Sequence, residues 1–127
     1  MVEKFKCIIV EDNPAHASIL EYYVEKVSYL ELIGTYSDSV MAALEITRKR
    51  PNLVFLDIEI KGLSGMEMME ALDKRIKTIV VTSHTKEKVE QFAQEFDVII
   101  DGYIQKPIDD YEAFKKVLTK SLEHDHL

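Results

Sequence analysis

Apolar, β-favouring runs recur along the chain, with helix-length segments between them. The runs are Lys6 to Val10, Leu32 to Tyr36, Leu53 to Asp57, Thr78 to Thr82 and Asp101 to Gln105. Short runs rich in aliphatic and β-branched side chains predict strands, so the pattern indicates five of them. From Leu53 to Leu56 every position is apolar. Such a run is typical of a strand covered on both faces of a parallel sheet.

The segments between the runs predict helices. Asn13 can cap the first of them with Pro14 at its first position, and Ser39 to Lys49 and Ser64 to Lys74 supply the second and third. Apolar side chains predict the sheet-facing stripes, at four-residue spacing in the first helix and at spacings of three and four in the fourth and fifth. These are Ala15, Ile19, Tyr23 and Val27 in the first helix, Val89, Phe92, Ala93 and Phe96 in the fourth, and Phe114, Val117, Leu118 and Leu122 in the fifth. Strict alternation of strand and helix predicts an open, doubly wound α/β sheet with helices on both faces.

Length and composition bound the class of protein. The chain has 127 residues, of which 46% are apolar and 31% charged, so we expect one globular domain over residues 1–127. Its last residues, about 121–127, look like a fraying helix end or the start of a linker, and His124 to His126 are a poor metal site because residues two apart on a helix do not face each other. No run approaches the length of a membrane span and Met1 to Val10 lacks a signal-peptide core, which predicts a cytoplasmic location.

Charge and cysteine content exclude two further classes. The formal charge is −7 and no window is basic, so the chain itself should not bind nucleic acid. The single cysteine, Cys7, lies in a predicted strand and is expected to be a buried, inert thiol.

Chemically informative residues follow four of the predicted strands. In a parallel α/β sheet, ligands bind beyond the carboxyl ends of the strands. Glu11 and Asp12 follow the first run, Asp57 ends the third, Thr82 ends the fourth, and Lys106 follows the fifth. All of them therefore fall at one edge of the predicted sheet.

Three carboxylates at one strand edge repel each other unless a cation lies among them. A donor set of oxygens suits Mg²⁺ better than zinc, although each acid could instead cap the helix or turn that follows it. Lys106 and Thr82 could hold two oxygens of an incoming phosphoryl group. Asp57 would then be the nucleophile, and its product an aspartyl phosphate.

At this point the sequence resembles the receiver domains of bacterial two-component response regulators, over nearly its whole length. Glu11-Asp12 is similar to the family's acidic pair, Asp57 to its phosphoacceptor, Thr82 to its switch hydroxyl and Lys106-Pro107 to its Lys-Pro with a cis peptide. The resemblance implies a flavodoxin-like (βα)₅ three-layer sandwich with strand order 2-1-3-4-5. It also implies Mg²⁺ held by Glu11, Asp12, Asp57 and the backbone carbonyl of Glu59.

Other positions refine this resemblance. Tyr103 matches the family's switch aromatic, and Glu59 and His84 occupy the two variable positions that flank the pocket, where we expect them to tune the lifetime of the phosphoryl group. Lys61 stands where the family usually has proline, which should loosen the loop without abolishing the site. Segments around Phe96 to Val98, Asp101 to Pro107 and Gly62 to Gly65 look similar to receivers of the LytTR type, which normally precede a DNA-binding domain.

The implied function is that of a signalling domain and not of a dedicated enzyme. It would take a phosphoryl group from a histidine kinase or a phosphotransfer protein, catalyse its own phosphorylation and dephosphorylation, and switch the face formed by the fourth helix, fifth strand and fifth helix. That face would control an output partner or domain, or form a homodimer. The sequence leaves open whether the chain is an excised or a stand-alone receiver.

Three alternatives have weaker support. A haloacid-dehalogenase-type phosphatase also uses an aspartate nucleophile with Mg²⁺, but it carries that motif on its first strand, whereas Asp57 lies on the third. A receiver-like binding module that works without phosphorylation would not need the complete acidic, hydroxyl and lysine set. A flavodoxin-like cofactor carrier would need a phosphate loop after the first strand, and the sequence has none there.

Overall fold

Strands and helices alternate along the part of the chain that the computed structural model describes, residues 4–59 and 64–123. The strands are β1 (Phe5–Val10), β2 (Leu30–Tyr36), β3 (Leu53–Leu56), β4 (Lys77–Thr82) and β5 (Gly102–Gln105). The helices are α1 (Pro14–Glu25), α2 (Ser39–Lys49), α3 (Gly65–Ala71), α4 (Lys86–Phe96) and α5 (Tyr111–Glu123). Lys61 and His124 to His126 lie outside the described residues.

The strands form one parallel sheet in the order β2-β1-β3-β4-β5, which confirms the predicted fold class and strand order. Side chains alternate between its two faces. Cys7, Ile9 and Phe55 pack with α1 and α5 on one face, and Ile8, Val54 and the helices α2, α3 and α4 form the other core. Because the paired strands are all parallel, their carboxyl ends lie at one edge of the sheet.

The predicted buried stripe of α1 is wrong in its details. The buried side chains are Ala17, Leu20 and Val24, whereas Ala15 is exposed and Val27, although buried, lies beyond the end of the helix. A strict four-residue spacing turns by about 40° per step around a helix of 3.6 residues per turn, so it drifts off the buried face. The spacing of three and then four stays on that face.

Boundaries shifted at some other elements. Strand β2 begins at Leu30 and not at Leu32, and α3 ends at Ala71 instead of continuing to Lys74. The bounds of α2, the cap by Asn13 with Pro14 at the first position, and the buried side chains Val89 of α4 and Phe114 and Leu118 of α5 are confirmed. Among the described residues no helix is long and apolar enough to cross a membrane.

The prediction for Cys7 is that its thiol stays unreactive while the protein is folded. Its side chain is completely buried. Burial, assisted by the charge of Glu31, raises the pKa of this thiol to about 12. We expect alkylation at mildly alkaline pH to require unfolding, measured by intact mass with and without denaturant, and Cys7→Ala should take up no label.

The same pKa shift predicts a loss of stability at alkaline pH. The unfolded chain loses the thiol proton near the ordinary pKa of about 8.5, while the folded chain keeps it. The unfolded state then binds fewer protons, so the free energy of unfolding falls as pH rises above that value. Cys7→Ala should lack this part of the pH dependence. Rapid alkylation of the native protein would contradict the prediction that the folded thiol is unreactive.

Candidate functional site

The strand order determines which side chains meet at the carboxyl edge of the sheet. Val10 of β1 pairs with Leu56 of β3, so Glu11 and Asp57 follow neighbouring positions on adjacent strands. The amide of Asp57 donates to the carbonyl of Val10 at 2.9 Å, which extends this pairing by one residue. Sequence reasoning therefore placed the acids at the correct edge.

The carboxylates of Glu11, Asp12 and Asp57 form one cluster. Each offers an oxygen, and these oxygens lie within 4.8 Å of one another. Glu11 is 2% exposed and Asp57 4% exposed, whereas Asp12 is only half-buried. Two of the three acids are thus withdrawn from water, and Asp12 lies at the opening of the pocket.

Lys106 compensates the two buried acids. Its Nζ lies 2.7 Å from Glu11 Oε1 and 3.2 Å from Asp57 Oδ2. The amide of Lys106 donates to the carbonyl of Thr82 at 2.8 Å, and the peptide to Pro107 is cis, as the family resemblance implied. The ammonium therefore lies between the two carboxylates.

The pKa values reflect this crowding. Burial raises the pKa of Glu11 to about 7, although the hydrogen bond from Lys106 opposes that rise and the neighbouring Asp57 adds to it. Burial by itself lowers the pKa of Lys106, but the hydrogen bond to Glu11 and the charge of Asp57 outweigh it and the pKa lies above its usual value. Lys106 therefore stays charged, and Glu11 is the carboxylate whose ionised form is destabilised in the cluster.

Backbone amides orient the two buried acids. Asn13 N–H donates to Glu11 Oε2 at 3.1 Å, and Glu59 N–H donates to Asp57 Oδ1 at 2.9 Å. With Lys106 near Oδ2, each Asp57 oxygen has a defined donor. Asp57 is consequently held in one orientation at the end of β3.

Thr82 and Tyr103 converge on the loop after β4. Thr82, fully buried at the end of that strand, accepts a hydrogen bond from His84 N–H at 3.2 Å through its Oγ1. Tyr103 donates its hydroxyl to the carbonyl of His84 at 2.5 Å. Its ring is partly buried against α4, and burial raises the pKa of its hydroxyl. Both residues therefore engage one backbone segment.

The side chains of Glu59 and His84 contact each other. His84 Nε2 lies 2.5 Å from Glu59 Oε1, and the two side chains are 32% and 52% exposed respectively. The imidazole also meets the ring of Phe92 edge to face at 5.6 Å. The sequence indicated that both residues flank the pocket, but not that they pair.

One residue of the pocket was missed altogether. His16, in the first turn of α1, places Nδ1 4.0 Å from Glu11 Oε1. This nitrogen is buried and has no hydrogen-bond partner among the residues that the structure describes. The available signal was the Asn13 cap, because a helix that starts directly after Asp12 must present its first turn to the same edge.

The donor set fits a hard divalent cation such as Mg²⁺. Three carboxylates converge without a thiolate among them, and one is half-exposed, which leaves room for water or for substrate oxygens. Such oxygen-rich, partly open sites suit Mg²⁺ better than zinc.

Comparison with known proteins identifies the family. The family model described as "Response regulator receiver domain" matches residues 7–118. The chain belongs to this family, and it is a receiver domain of two-component signalling.

Three similar proteins are regulators. An uncharacterized response regulatory protein of Shewanella oneidensis is 35% identical over 106 residues, covering 81% of this chain and 43% of that protein. Transcriptional regulatory protein BtsR of Escherichia coli K12 is 31% identical, covering 83% and 43%, and sensory transduction protein LytT of Bacillus cereus is 31% identical, covering 95% and 51%. The match to LytT confirms the predicted resemblance to receivers of the LytTR type. The chain spans about half the length of these relatives.

Solved structures agree on the fold. The receiver domain of the putative response regulator NarL from Mycobacterium tuberculosis superposes with a TM-score of 0.82 at 17% identity, covering 97% of this chain and all of that one. The isolated receiver domain of RcsB from Salmonella enterica serovar Typhimurium, determined with the phosphomimetic BeF3⁻, gives a TM-score of 0.83 at 15% identity and covers 98% and 93%.

We predict that removing the Lys106 charge destabilises the protein in a pH-dependent way. In chelator, Lys106→Met should lower the free energy of unfolding by about 3 kcal/mol at mildly alkaline pH, because it leaves two buried carboxylates uncompensated. The loss should be smaller at mildly acidic pH. Folded Glu11 holds a proton below a pKa of about 7 and the unfolded residue does so only below 4.5, so stability rises as pH falls between these values.

Denaturant titrations at the two pH values measure this effect, with Lys116→Met at an exposed position of α5 as the control. Mg²⁺ should recover part of the loss in Lys106→Met. An equal loss of unfolding free energy at both pH values would show that lost packing is the cause and would refute the electrostatic explanation.

Proposed function

We propose that Asp57 accepts a phosphoryl group from a histidine kinase or a histidine phosphotransfer protein, in a Mg²⁺-dependent reaction, and that this modification switches a surface that controls an output partner or domain. The observation that carries the proposal is the ammonium of Lys106, which lies between Glu11 and Asp57. A buried acid with a fixed cation beside it, at an edge that also carries a half-exposed acid, suits phosphoryl transfer.

Metal binding is the first requirement of this proposal. Glu11, Asp12 and Asp57, together with the backbone carbonyl of Glu59, would hold Mg²⁺, which when bound neutralises negative charge on the acids and on the phosphoryl oxygens. The raised pKa of Glu11 supports this assignment, because a carboxylate that burial penalises gains most from a cation.

The transfer step uses Asp57 as the nucleophile. One of its carboxylate oxygens bonds to phosphorus while the bond from phosphorus to the donor histidine nitrogen breaks, and that nitrogen keeps the electron pair. Lys106 is close enough to Asp57 Oδ2 to pair with a phosphoryl oxygen on the same side. Thr82 would donate its hydroxyl to another phosphoryl oxygen. With these groups in place, the domain would catalyse its own phosphorylation and, with water as the acceptor, its own dephosphorylation.

Switching would follow from the contacts of Thr82 and Tyr103. If Thr82 turns toward the phosphoryl group, the His84 amide loses its present acceptor, and the loop that also accepts the Tyr103 hydroxyl must adjust. Phosphorylation would therefore shift the population between two packings of α4, β5 and α5. We propose the α4–β5–α5 face as the surface that contacts an output partner or forms a homodimer.

The output function would belong to another domain or protein. The described residues form one receiver unit, and the relatives named above are about twice as long. BtsR is a transcriptional regulatory protein by name, so an output domain that acts on DNA is a reasonable partner for this receiver. The negative charge of the chain, −7, disfavours direct contact with DNA.

Phosphorylation of Asp57 is tested directly with a small phosphodonor. After incubation with acetyl phosphate and Mg²⁺, intact-mass analysis should show an adduct of one phosphoryl group. The adduct should be absent in Asp57→Asn, which preserves the shape of the side chain but removes the nucleophile, and it should be absent in chelator.

Asp12→Asn should form the adduct but require more Mg²⁺, because it removes one metal ligand and leaves the nucleophile. If the wild type stays unlabelled under conditions that label another receiver, the domain is a binding module that works without phosphorylation, and the proposal is wrong.

We predict that the Glu59–His84 pair slows the loss of the phosphoryl group. Because the pair bridges the loops that flank Asp57, it should hinder the approach of water, so Glu59→Ala and His84→Ala should each speed dephosphorylation, by about tenfold or less. The double variant should be little faster than either single one, since both remove the same bridge. Glu70→Ala, at an exposed position of α3, is the control.

Release of inorganic phosphate from the purified phosphoprotein measures these rates. Unchanged rates in both single variants would refute the tuning role. Fully additive effects would show that the two side chains act separately and not as a pair.

A further inference from the structure

Helix α2 carries an apolar patch on the face turned away from the sheet. Val40, Met41 and Leu44 are 50%, 51% and 63% exposed. Among the described residues the other exposed large apolar side chains are Phe5, Tyr22 and Ile99, and each lies on a different element or loop. Isolated exposed apolar residues are common, but a contiguous group indicates an interaction surface.

The patch has the spacing of a helix-packing stripe. Val40, Met41 and Leu44 continue into Thr47 and Arg48, which gives positions i, i+1, i+4, i+7 and i+8 on one side of α2. The opposite side already buries Ala42 and Ile46 against the sheet. Helix α2 therefore has apolar side chains on two sides, and only one of these sides is buried within the domain.

We propose that the outer face of α2 packs against the same face of a second copy of this chain, antiparallel about a two-fold axis near Leu44. In this arrangement Leu44 of each copy meets Leu44 of the other, and Val40 lies opposite the aliphatic part of Arg48. An isologous contact needs a patch that complements itself, and an apolar stripe centred on one residue does so.

The charge distribution along α2 favours a second copy of the chain as the partner. The acidic cap Asp38 marks its beginning, while Arg48, Lys49 and Arg50 mark its end. With a rise of 1.5 Å per residue, an antiparallel pair centred on Leu44 brings Arg48 of one copy within about 3 Å, along the axis, of Asp38 of the other. The antiparallel helix dipoles also attract. A partner of a single charge sign would match one end of the helix and be repelled by the other.

The side chain of Arg48 can make this contact without giving up its present one. It is 68% exposed and binds Glu45 Oε2 through Nη2 at 2.6 Å. A guanidinium has five N–H donors, so further donors are available to Asp38 of the second copy. Asp38 uses Oδ1 to cap the helix at Val40 and Met41, which leaves its other oxygen as the acceptor.

The proposed contact is separate from the phosphorylation switch. Helix α2 packs on β1, β2 and α3, on the half of the sheet that ends with the edge strand β2, whereas Tyr103 lies on the opposite edge strand, β5. Pairing through α2 should therefore occur without phosphorylation. One helix face is smaller than a standard interface, so the dimer should be weak.

Light scattering after size-exclusion chromatography, over a dilution series of the unphosphorylated protein, tests the proposal. The wild type should shift from monomer toward dimer as concentration rises. Leu44→Glu should raise the dissociation constant at least about tenfold, because it places two like charges on the symmetry axis. Ile99→Glu is the matched control, since Ile99 is 65% exposed but lies far from α2 in the sheet order, and it should dimerise like the wild type.

Cross-linking locates the axis independently. Leu44→Cys should be joined to a dimer by a short bismaleimide, whereas Ile99→Cys should not, and the buried Cys7 should not interfere. Circular dichroism checks that each variant keeps its helices. A wild type that stays monomeric at every concentration overturns the proposal. A dimer that survives Leu44→Glu, or that forms only after phosphorylation, overturns it equally and assigns pairing to another face.

Discussion

The ammonium of Lys106 between Glu11 and Asp57 is the interaction on which the rest of the site depends. Two carboxylates that are almost fully buried would be costly beside each other, and the lysine at 2.7 Å and 3.2 Å makes their burial tolerable. The arrangement also leaves the site with a third, half-exposed acid and therefore with unbalanced negative charge. A pocket of this kind is prepared for a divalent cation and, with the cation present, for an anion.

The fold places the buried acids and the lysine at one edge of a framework that is mostly apolar. Every residue from Leu53 to Leu56 is fully buried, and the charged residue comes only at the next position, Asp57. Because all strands are parallel, each can be apolar along its length and place its polar residue at the same edge. The cores on the two faces of the sheet then hold the acids and the lysine in register.

Much of this could be read from the sequence, for physical reasons that also explain what could not. Asp57, Glu11 and Lys106 follow apolar runs, and a parallel sheet brings such positions together whatever the loops do. The predicted buried side of α1 was wrong because Ile19 and Tyr23, which also have large apolar surfaces, lie only at the margin of the core. The Asn13 cap signals that His16 lies at this edge, but the distance of His16 from Glu11 depends on side-chain rotamers, and the pairing of Glu59 with His84 depends on rotamers and loop geometry, which no pattern of spacing encodes.

His84 connects the pocket with the face that would respond to it. Its imidazole binds Glu59, its N–H donates to Thr82, and its carbonyl accepts from Tyr103. Movement of Thr82 would therefore disturb the same residue that accepts from Tyr103 and contacts Glu59. Under the proposed function, the lifetime of the phosphoryl group and the position of Tyr103 would be coupled through one residue. Because Thr82 and Tyr103 contact only the backbone of His84, a substitution there removes the contact with Glu59 and leaves both backbone hydrogen bonds available.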